Sequence, residues 1–267
     1  MQEKSVYAAH EAVQRLINEV ASALNRWKEE NPPHDYWRAP LAGVADASDP
    51  LFLRLKQAVG PDHALPRDLL PSARSVIVFF LPFKAELAEQ NEEAGVFAAR
   101  TWAESYVVTN RVIHAVNDHL AAWIARAGYE AGTTPATHNF DEKRLISPWS
   151  HKHVGYIAGL GTFGLHHLLI TESGCCGRLG SLVTSMPLSA TARPDREWCT
   201  EKAGGECRAC VVRCMYGALA STPFNRHACY EQCLRNDAHH ADLPLTDVCG
   251  KCSCGVPCSG TRPGASL

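Results

Sequence analysis

The chain has 267 residues, of which 46% are hydrophobic and 20% are charged, and its net charge is −2. This composition is that of a globular protein with a sizeable core, and it argues against a nucleic-acid partner held by a strongly basic surface. The N-terminus lacks the basic and apolar regions of a signal peptide, and no apolar run reaches the roughly 20 residues that span a bilayer. We therefore expect a cytoplasmic protein without a membrane segment, whose cysteines stay reduced.

The spacing of apolar residues and the positions of proline and glycine predict the first helices and strands. Apolar residues at three- and four-residue spacing over residues 5–27 predict an amphipathic helix, and the prolines of residues 31–40 predict a loop. The sequence SVIVFFLPF at residues 75–83 is β-branched and aromatic, which predicts a buried central strand. A long helix is predicted over residues 95–126, because apolar positions recur along it and Gly128 follows its end.

The stretch ISPWSHKHVGYIAGLGTFG, residues 146–164, carries several signals at once. Ser147 followed by Pro148 predicts a helix N-cap and first turn, and this helix should stop near Gly159. Residues 165–171 and 180–186 are predicted to be strands, with a turn between them. One of the two histidines in the first strand, His166 or His167, should then point inward. The mixture of elements favours an α+β body.

The cysteines are concentrated at the C-terminal end. The chain contains twelve, and ten of them follow residue 198. In a reducing compartment, so many thiols indicate a bound metal rather than disulfides. The sequence therefore predicts three parts: an N-terminal helical segment at residues 1–60, an α+β body at residues 61–190, and a metal-binding module at residues 191–267.

The spacing of these cysteines favours iron–sulfur clusters. Cys207-x2-Cys210-x3-Cys214 reproduces the last three positions of the bacterial two-cluster pattern, in which the fourth cysteine binds the other cluster. By this crossover rule, we assign to one cluster the ligands Cys199, Cys207, Cys210 and Cys258. We assign to the other cluster Cys214, Cys229, Cys249 and Cys252. Structural zinc or a single cluster is the alternative, because zinc sites also use C-x2-C pairs. Cys233 and Cys254 are left as spare thiols, and Cys175 and Cys176 are interpreted as buried structural cysteines.

Four motifs together resemble epoxyqueuosine reductase and its iron–sulfur relatives, including the reductive dehalogenases. They are ARSVIVFFLPF, SHKHVGYIAGLGTFGLHHLLIT, GRLGSLVTSMPL and the cysteine set with GAL after Cys214. The resemblance implies a body folded like the flavin nitroreductases and cobalamin-processing proteins. It also implies a C-terminal ferredoxin-like module with two [4Fe–4S] clusters, and cobalamin as the catalytic centre.

The resemblance also implies a function and partners. Electrons would pass from an external ferredoxin- or flavodoxin-type donor through the clusters to the corrinoid, and on to a small or nucleoside-like substrate. The relatives that act on tRNA carry C-terminal helical repeats, whereas this chain ends shortly after Cys258. With the net charge of −2, this predicts that nucleic acid is not the substrate.

The predicted site lies in the body. His151 or His153 is the candidate proton source, because imidazole titrates near neutrality and the acidic proton donor of the reductase is replaced by Leu145 or Ile146. The resemblance places Tyr106 in the pocket, and Asn110 shares its helix face, although core packing explains both equally well. A corrinoid ring would lie against the segment formed by Gly159, Leu160, Gly161, Thr162, Phe163 and Gly164.

Two other functions remain open at this point. The protein could be an electron-transfer protein, or it could reduce or deliver a corrinoid without acting on an organic substrate. The missing acidic residue favours these two alternatives, whereas the histidines and the glycine-rich segment favour a reductase.

Overall fold

The computed structural model describes residues 2–135, 140–220 and 222–264, and side chains from residue 11 onward. The helices are α1 (Gln2–Glu30), α2 (Leu51–Ala58), α3 (Pro66–Leu69), α4 (Ala85–Glu93), α5 (Arg100–Arg126), α6 (His151–Ile157), α7 (Ala209–Arg213) and α8 (Arg226–His239). The strands are β1 (Leu41–Asp46), β2 (Ser75–Pro82), β3 (Ala131–Thr133), β4 (Gly161–Phe163), β5 (Leu169–Thr171) and β6 (Gly177–Thr184). The expected α+β character is confirmed.

The main sheet has the order β1-β2-β6-β3, and every pair of neighbours in it is antiparallel. Strand β2 is buried along its whole length between β1 and β6, as its β-branched and aromatic sequence predicts. A separate two-stranded sheet pairs β4 with β5.

The two faces of β2 contribute to two different cores. Ile77 and Phe79 point into a core that also contains residues of α1 and α5. Val76 and Val78 point to the other face, where they pack with residues of α2 and α6. This alternation is the two-residue period of a strand whose two faces are both covered. It fixes α6, which carries the candidate histidines, against the opposite face from α5, which carries Tyr106.

The predicted bounds of four elements were wrong, and for the first three of them hydrogen bonds explain the difference. The helix predicted over residues 95–126 is α5, which begins at Arg100, because the backbone N–H groups just before it donate to side chains of distant segments. Ala98 donates to Asn236 Oδ1 (3.1 Å), and Ala99 donates to Asn91 Oδ1 (2.9 Å). These side chains satisfy donors that would otherwise be free at the helix start.

The helix expected to start at Ser147 is α6, which begins at His151. Ser147 Oγ donates to the carbonyl of Trp149 and accepts from its N–H, which closes a local turn. The backbone of Pro148 accepts from Ala64 (2.8 Å), so this segment is tied to a neighbouring loop before the helix begins. The helix ends as predicted, since Gly159 has a φ of +76°.

The strand expected at residues 165–171 is shorter, and His166 and His167 do not lie in it. Gly164 N–H donates to the Leu168 carbonyl (3.0 Å), which closes a tight connection between β4 and β5. His167 lies in this connection with a φ of +59°, so the alternation argument for the two histidines does not apply. The strand expected at residues 180–186 is β6, which begins and ends earlier.

Among the described residues that follow β6, only α7 and α8 are regular elements, and the remainder consists of turns and loops. Hydrogen bonds to backbone carbonyls hold this segment against the rest of the chain. Cys175 N–H donates to the Cys258 carbonyl (2.9 Å), and Asn91 Nδ2 donates to the Cys249 carbonyl (3.0 Å). Gly250, with a φ of +75°, turns the chain where Trp102 leaves no room for a β-carbon. The cysteine-rich segment is therefore held directly against α4, α5 and β6.

Candidate metal centres and adjoining cavities

Four cysteines surround one narrow void, and we call them the first thiol group: Cys199, Cys207, Cys210 and Cys258. The void has a volume of about 20 Å³, so it does not admit an organic molecule. These are the same four residues that the spacing assigned to one cluster. Their role as ligands stays a prediction, and the geometry brings all four together.

The thiols of the first group influence one another. Burial and the neighbouring thiols Cys258 and Cys199 raise the pKa of Cys210 to about 11. A hydrogen bond from Cys175 and a further one from His166 lower the pKa of Cys258 to about 5. A metal binds the thiolate rather than the thiol, so Cys258 is already in the binding form at neutral pH.

The second thiol group is formed by Cys214, Cys229, Cys249 and Cys252, which the spacing assigned to the other cluster. All four line a cavity of about 410 Å³, which we call the thiol cavity. Cys210 lies within helix α7 and lines the void of the first group, whereas Cys214 is the C-cap residue of this helix and lines the thiol cavity. The first turn and the end of α7 therefore contribute to different sites.

Cys233 belongs to the same neighbourhood, although the sequence left it as a spare. It lies four residues after Cys229 on α8, so the two side chains share a helix face. Their hydrogen bond lowers the pKa of Cys229 to about 7 and raises that of Cys233. Either thiol of this pair therefore lies close enough to the cavity to serve as a ligand, and the selection of Cys229 stays a prediction.

The opposite wall of the thiol cavity is polar and aromatic. The Tyr106 hydroxyl donates to Asp247 Oδ1 (2.6 Å), and the Arg178 guanidinium lies 4.2 Å from the centre of the Tyr106 ring. Three buried polar atoms of this wall have no hydrogen-bond partner within the described residues: Trp102 Nε1, Arg178 Nε and Gln232 Oε1. Buried polar groups are usually satisfied, so these atoms fit a bound organic molecule with its own donors and acceptors.

A third set of thiols lies between the body and the two groups. Cys175 and Cys176 are buried as expected, and Cys254 is completely buried beside Cys176. Cys175 contacts Cys258 of the first group and also lines the thiol cavity. These contacts come from the loop before β6, and no spacing rule in the sequence indicated them.

His166 occupies a position that the sequence did not predict. Its Nδ1 accepts from the Leu168 N–H (3.1 Å), so in the neutral ring the proton lies on Nε2, which is 3.3 Å from Cys258 Sγ. His166 and Cys175 bring their ligand atoms within 4.8 Å of each other and of Cys258 Sγ. The imidazole is therefore a hydrogen-bond donor to a sulfur of the first thiol group.

The two candidate proton sources lie away from the thiol cavity. His151 Nδ1 is 2.8 Å from Ser181 Oγ, and His153 Nδ1 is 2.7 Å from Ser150 Oγ. Burial lowers the pKa of each to about 4. Both rings are therefore uncharged at neutral pH, and each could deliver a proton only after taking one up. Their catalytic role stays a prediction.

The glycines of residues 159–164 are occupied by the protein's own packing. A β-carbon on Gly161 would lie 1.8 Å from the Ile170 carbonyl, because β4 and β5 approach closely there. A β-carbon on Gly159 would lie 2.6 Å from the Ala192 carbonyl. The protein's own packing thus explains these two glycines, and their contact with a cofactor stays a prediction. Cofactor contact by Leu160, Thr162, Phe163 and Gly164 is untested.

Asn110 lies one turn after Tyr106 on α5, as predicted, but it does not line the thiol cavity with Tyr106. Its Oδ1 is buried without a hydrogen-bond partner among the described residues. Tyr106 is therefore the member of this pair that the fold presents to the cavity.

No helix in the described part of the chain combines the length and the apolar character needed to cross a membrane.

Comparison with known proteins gives matches to solved structures only. No protein-family model matches the chain, and no curated protein matches it in sequence. A crystal structure of epoxyqueuosine reductase with an epoxyqueuosine-modified tRNA stem loop is 18% identical, with a TM-score of 0.58. That match covers 95% of this chain and 67% of the other. The Bacillus subtilis enzyme is 15% identical, with a TM-score of 0.52 over 94% of this chain and 67% of its own.

A catabolic reductive dehalogenase also matches, at 18% identity, over 67% of this chain and 23% of its own, with a TM-score of 0.49. The two epoxyqueuosine reductase matches confirm the resemblance: the chain has the fold of the epoxyqueuosine reductases.

Proposed function

We propose that the protein is an iron–sulfur reductase with one [4Fe–4S] cluster on each thiol group. The observation that carries this proposal is that the two predicted sets of four ligands line two different cavities, in the crossed order of two-cluster ferredoxins. Residues 191–267 would then form a ferredoxin-like module behind a nitroreductase-like body at residues 61–190. A ferredoxin- or flavodoxin-type protein would supply the electrons.

The thiol cavity is the proposed place for the electron acceptor. The second thiol group forms one wall and the polar residues Tyr106 and Arg178 form another. The unpartnered Arg178 Nε and Trp102 Nε1 would donate to a bound molecule, and Gln232 Oε1 would accept from it. A corrinoid, whose rim carries amide groups that both donate and accept, suits these atoms. When bound, it would supply a strongly reducing metal centre beside the cluster.

Within this scheme, Tyr106 and Arg178 orient the acceptor. Burial lowers the pKa of Arg178, but Tyr106 and Asp247 counteract this effect and keep the guanidinium cationic. A fixed positive charge beside the acceptor stabilises its reduced form. The organic substrate would be a small or nucleoside-like molecule. A nucleic-acid substrate is not excluded by the net charge of −2, because one solved structure with this fold holds a tRNA stem loop.

A second candidate is an electron-transfer protein or a corrinoid-reducing protein without an organic substrate. The observation in its favour is Leu145, which stands near the place of the reductase's acidic proton donor. The nearby Asp141 carboxylate accepts from the N–H groups of Lys143 and Arg144 (both 2.9 Å), so it caps its own turn.

Visible spectra of the anaerobically reconstituted protein distinguish these functions. We expect broad iron–sulfur absorption, and a corrinoid band that remains after gel filtration with added cobalamin. Clusters without retained corrinoid would favour the electron-transfer protein. Retained corrinoid that is reduced, with no turnover of any epoxide- or halogen-bearing substrate, would favour the corrinoid-reducing protein.

A further inference from the structure

A second large cavity lies beside the thiol cavity, and the proposed redox function does not use it. Its volume is about 660 Å³, which is within the range of sites for small organic ligands. It is formed by the end of α2, the start of α6 and residues from β4, α8 and the loops near residues 145, 202 and 224. We call it the cationic cavity.

Three basic residues line this cavity, namely Lys152, Lys202 and Arg226. No acidic residue lines it among those that the structure describes. None of the three forms an ion pair within the described part of the chain, whereas Arg100, Arg193 and Arg213 each pair with a carboxylate elsewhere. The two histidines of the lining, His153 and His167, carry no negative charge and so cannot pair with these cations. The cavity therefore concentrates positive charge that no carboxylate in the described part of the chain neutralises.

Lys152 is the most informative of the three. Its Nζ donates to the His167 carbonyl (3.0 Å), which is a neutral acceptor. It lines the cavity together with Lys202 and Arg226, and no carboxylate in the described part of the chain pairs with it. A bound anion would supply a charged partner.

Aromatic rings form the rest of the wall. The His167 and Phe224 rings are stacked with centroids 4.7 Å apart, and the His153 and Phe163 rings lie 4.9 Å apart. Burial and the charge of Lys152 lower the pKa of both histidines, so both rings are uncharged near neutral pH. Such flat, uncharged surfaces suit a planar ring.

The backbone is strained at this cavity. Among the described residues, only Leu145 (φ +52°) and His167 (φ +59°) combine a positive φ with a side chain, and both line it. This conformation costs of order 1–3 kcal/mol for each non-glycine residue and tends to persist at binding sites. The strain at His167 aims its carbonyl at Lys152 and its ring at Phe224.

We propose that the cationic cavity binds an aromatic organic anion, with its carboxylate or phosphate on Lys152, Lys202 and Arg226 and its ring against the two aromatic pairs. Because Lys152, His167 and Phe224 also line the thiol cavity, this ligand would lie next to the electron acceptor. The inference names the substrate class and in that respect rests on the proposed function, but binding itself requires no turnover.

Calorimetric titration of the reconstituted full-length protein tests the proposal with four probes. Guanosine 5′-monophosphate and 2-naphthoate represent the phosphate and carboxylate sources of the anion, and guanosine and 2-naphthol are their neutral counterparts. At least one anion should bind roughly tenfold or more tightly than its neutral counterpart, and added salt should weaken that binding. Whichever anion binds more tightly identifies the source.

Variants locate the binding. Lys152→Met should weaken anion binding roughly tenfold or more, and Lys56→Met, an exposed lysine of α2 outside the cavity, is the matched control. Arg226→Gln provides a second test at an exposed position, where folding is not at risk. Phe224→Leu should weaken both members of a probe pair equally, because it removes ring contact only.

The proposal is wrong if neither anion binds at millimolar concentration, if neutral probes bind as tightly as anions, or if Lys152→Met and Arg226→Gln both bind like the wild type. Iron and sulfide contents are measured on the same samples. Anion binding by protein without clusters would refute the redox function and leave the anion site intact. Clusters without anion binding would refute the anion site and leave the redox function intact.

Discussion

The two thiol groups contain equal numbers of predicted ligands but have different surroundings. The first encloses a void of about 20 Å³ between apolar residues such as Leu165, Ile170 and Pro257. The second opens into a cavity of about 410 Å³ whose far wall carries Tyr106 and Arg178. A cluster in the first group would contact only its protein shell, and a cluster in the second would face a molecule in the cavity. A cluster in the first group would therefore pass electrons to the second, and a cluster in the second group would deliver them to the bound molecule.

The largest effect is expected when one predicted ligand in each thiol group is replaced. Cys207→Ser and Cys249→Ser should each reduce the iron content from about eight to about four atoms per chain, since each breaks one four-thiolate set. Only Cys249→Ser should also change the spectrum of a molecule bound in the thiol cavity. Iron assay and electron paramagnetic resonance of the reduced protein measure both effects. Loss of both clusters in either variant would contradict the separation.

A pair of variants on α8 sharpens the definition of the second group. Cys229→Ser should lose the second cluster, because Cys229 is the predicted member of this four-thiolate set. Cys233→Ser should keep it and is the matched control, one helical turn away. The number of reduced clusters seen by paramagnetic resonance decides between them. Retention in Cys229→Ser together with loss in Cys233→Ser would reverse the ligand choice.

A smaller effect is expected from the shell of the first group. The His166 Nε2–H donor stabilises the reduced cluster more than the oxidised one, because the reduced sulfurs carry more negative charge. His166→Phe should therefore lower the reduction potential of one cluster, on the order of 50 mV for one hydrogen bond. His114→Phe, at an exposed site on α5, is the control.

Redox titration followed by paramagnetic resonance gives this potential for each cluster. An unchanged potential would show that the hydrogen bond does not reach the cluster. A shift confined to the other cluster, with the first unaffected, would show that His166 belongs to the second group instead.

The smallest effect is expected at Cys254, which the sequence left as a spare. It is fully buried, and Asn91 Nδ2 donates to its sulfur (3.4 Å). Cys254→Ser should keep both clusters and cost about 1 kcal/mol of the free energy of unfolding, which is typical of a point substitution. Chemical denaturation and iron assay measure these two quantities. Loss of a cluster would show that Cys254 is a ligand.

The spacing pattern of two-cluster ferredoxins was enough to predict which cysteines line the same cavity, while their role as ligands stays a prediction. The central strand β2 and helix α1 were predicted as well, since their side-chain periods are local. The start of α5 was not predictable, because Asn91 and Asn236 cap it from distant segments.

The cavities depend even more on distant contacts. The meeting of His166 with Cys258 requires the connection between β4 and β5, and the cationic cavity combines Lys152 with Arg226 from another helix. The role of Gly161 depends on the register of β4 against β5, which places it opposite Thr171. A glycine-rich motif has several structural explanations, and only the fold distinguishes close packing from cofactor contact.

The central claim is that two groups of four thiols each hold a cubane cluster. Iron and acid-labile sulfide analysis of anaerobically reconstituted protein, with zinc measured in parallel, tests it most directly. The account predicts about eight iron atoms and about eight sulfides per chain, since each [4Fe–4S] cluster carries four of each. One or two zinc atoms per chain without labile sulfide would contradict it.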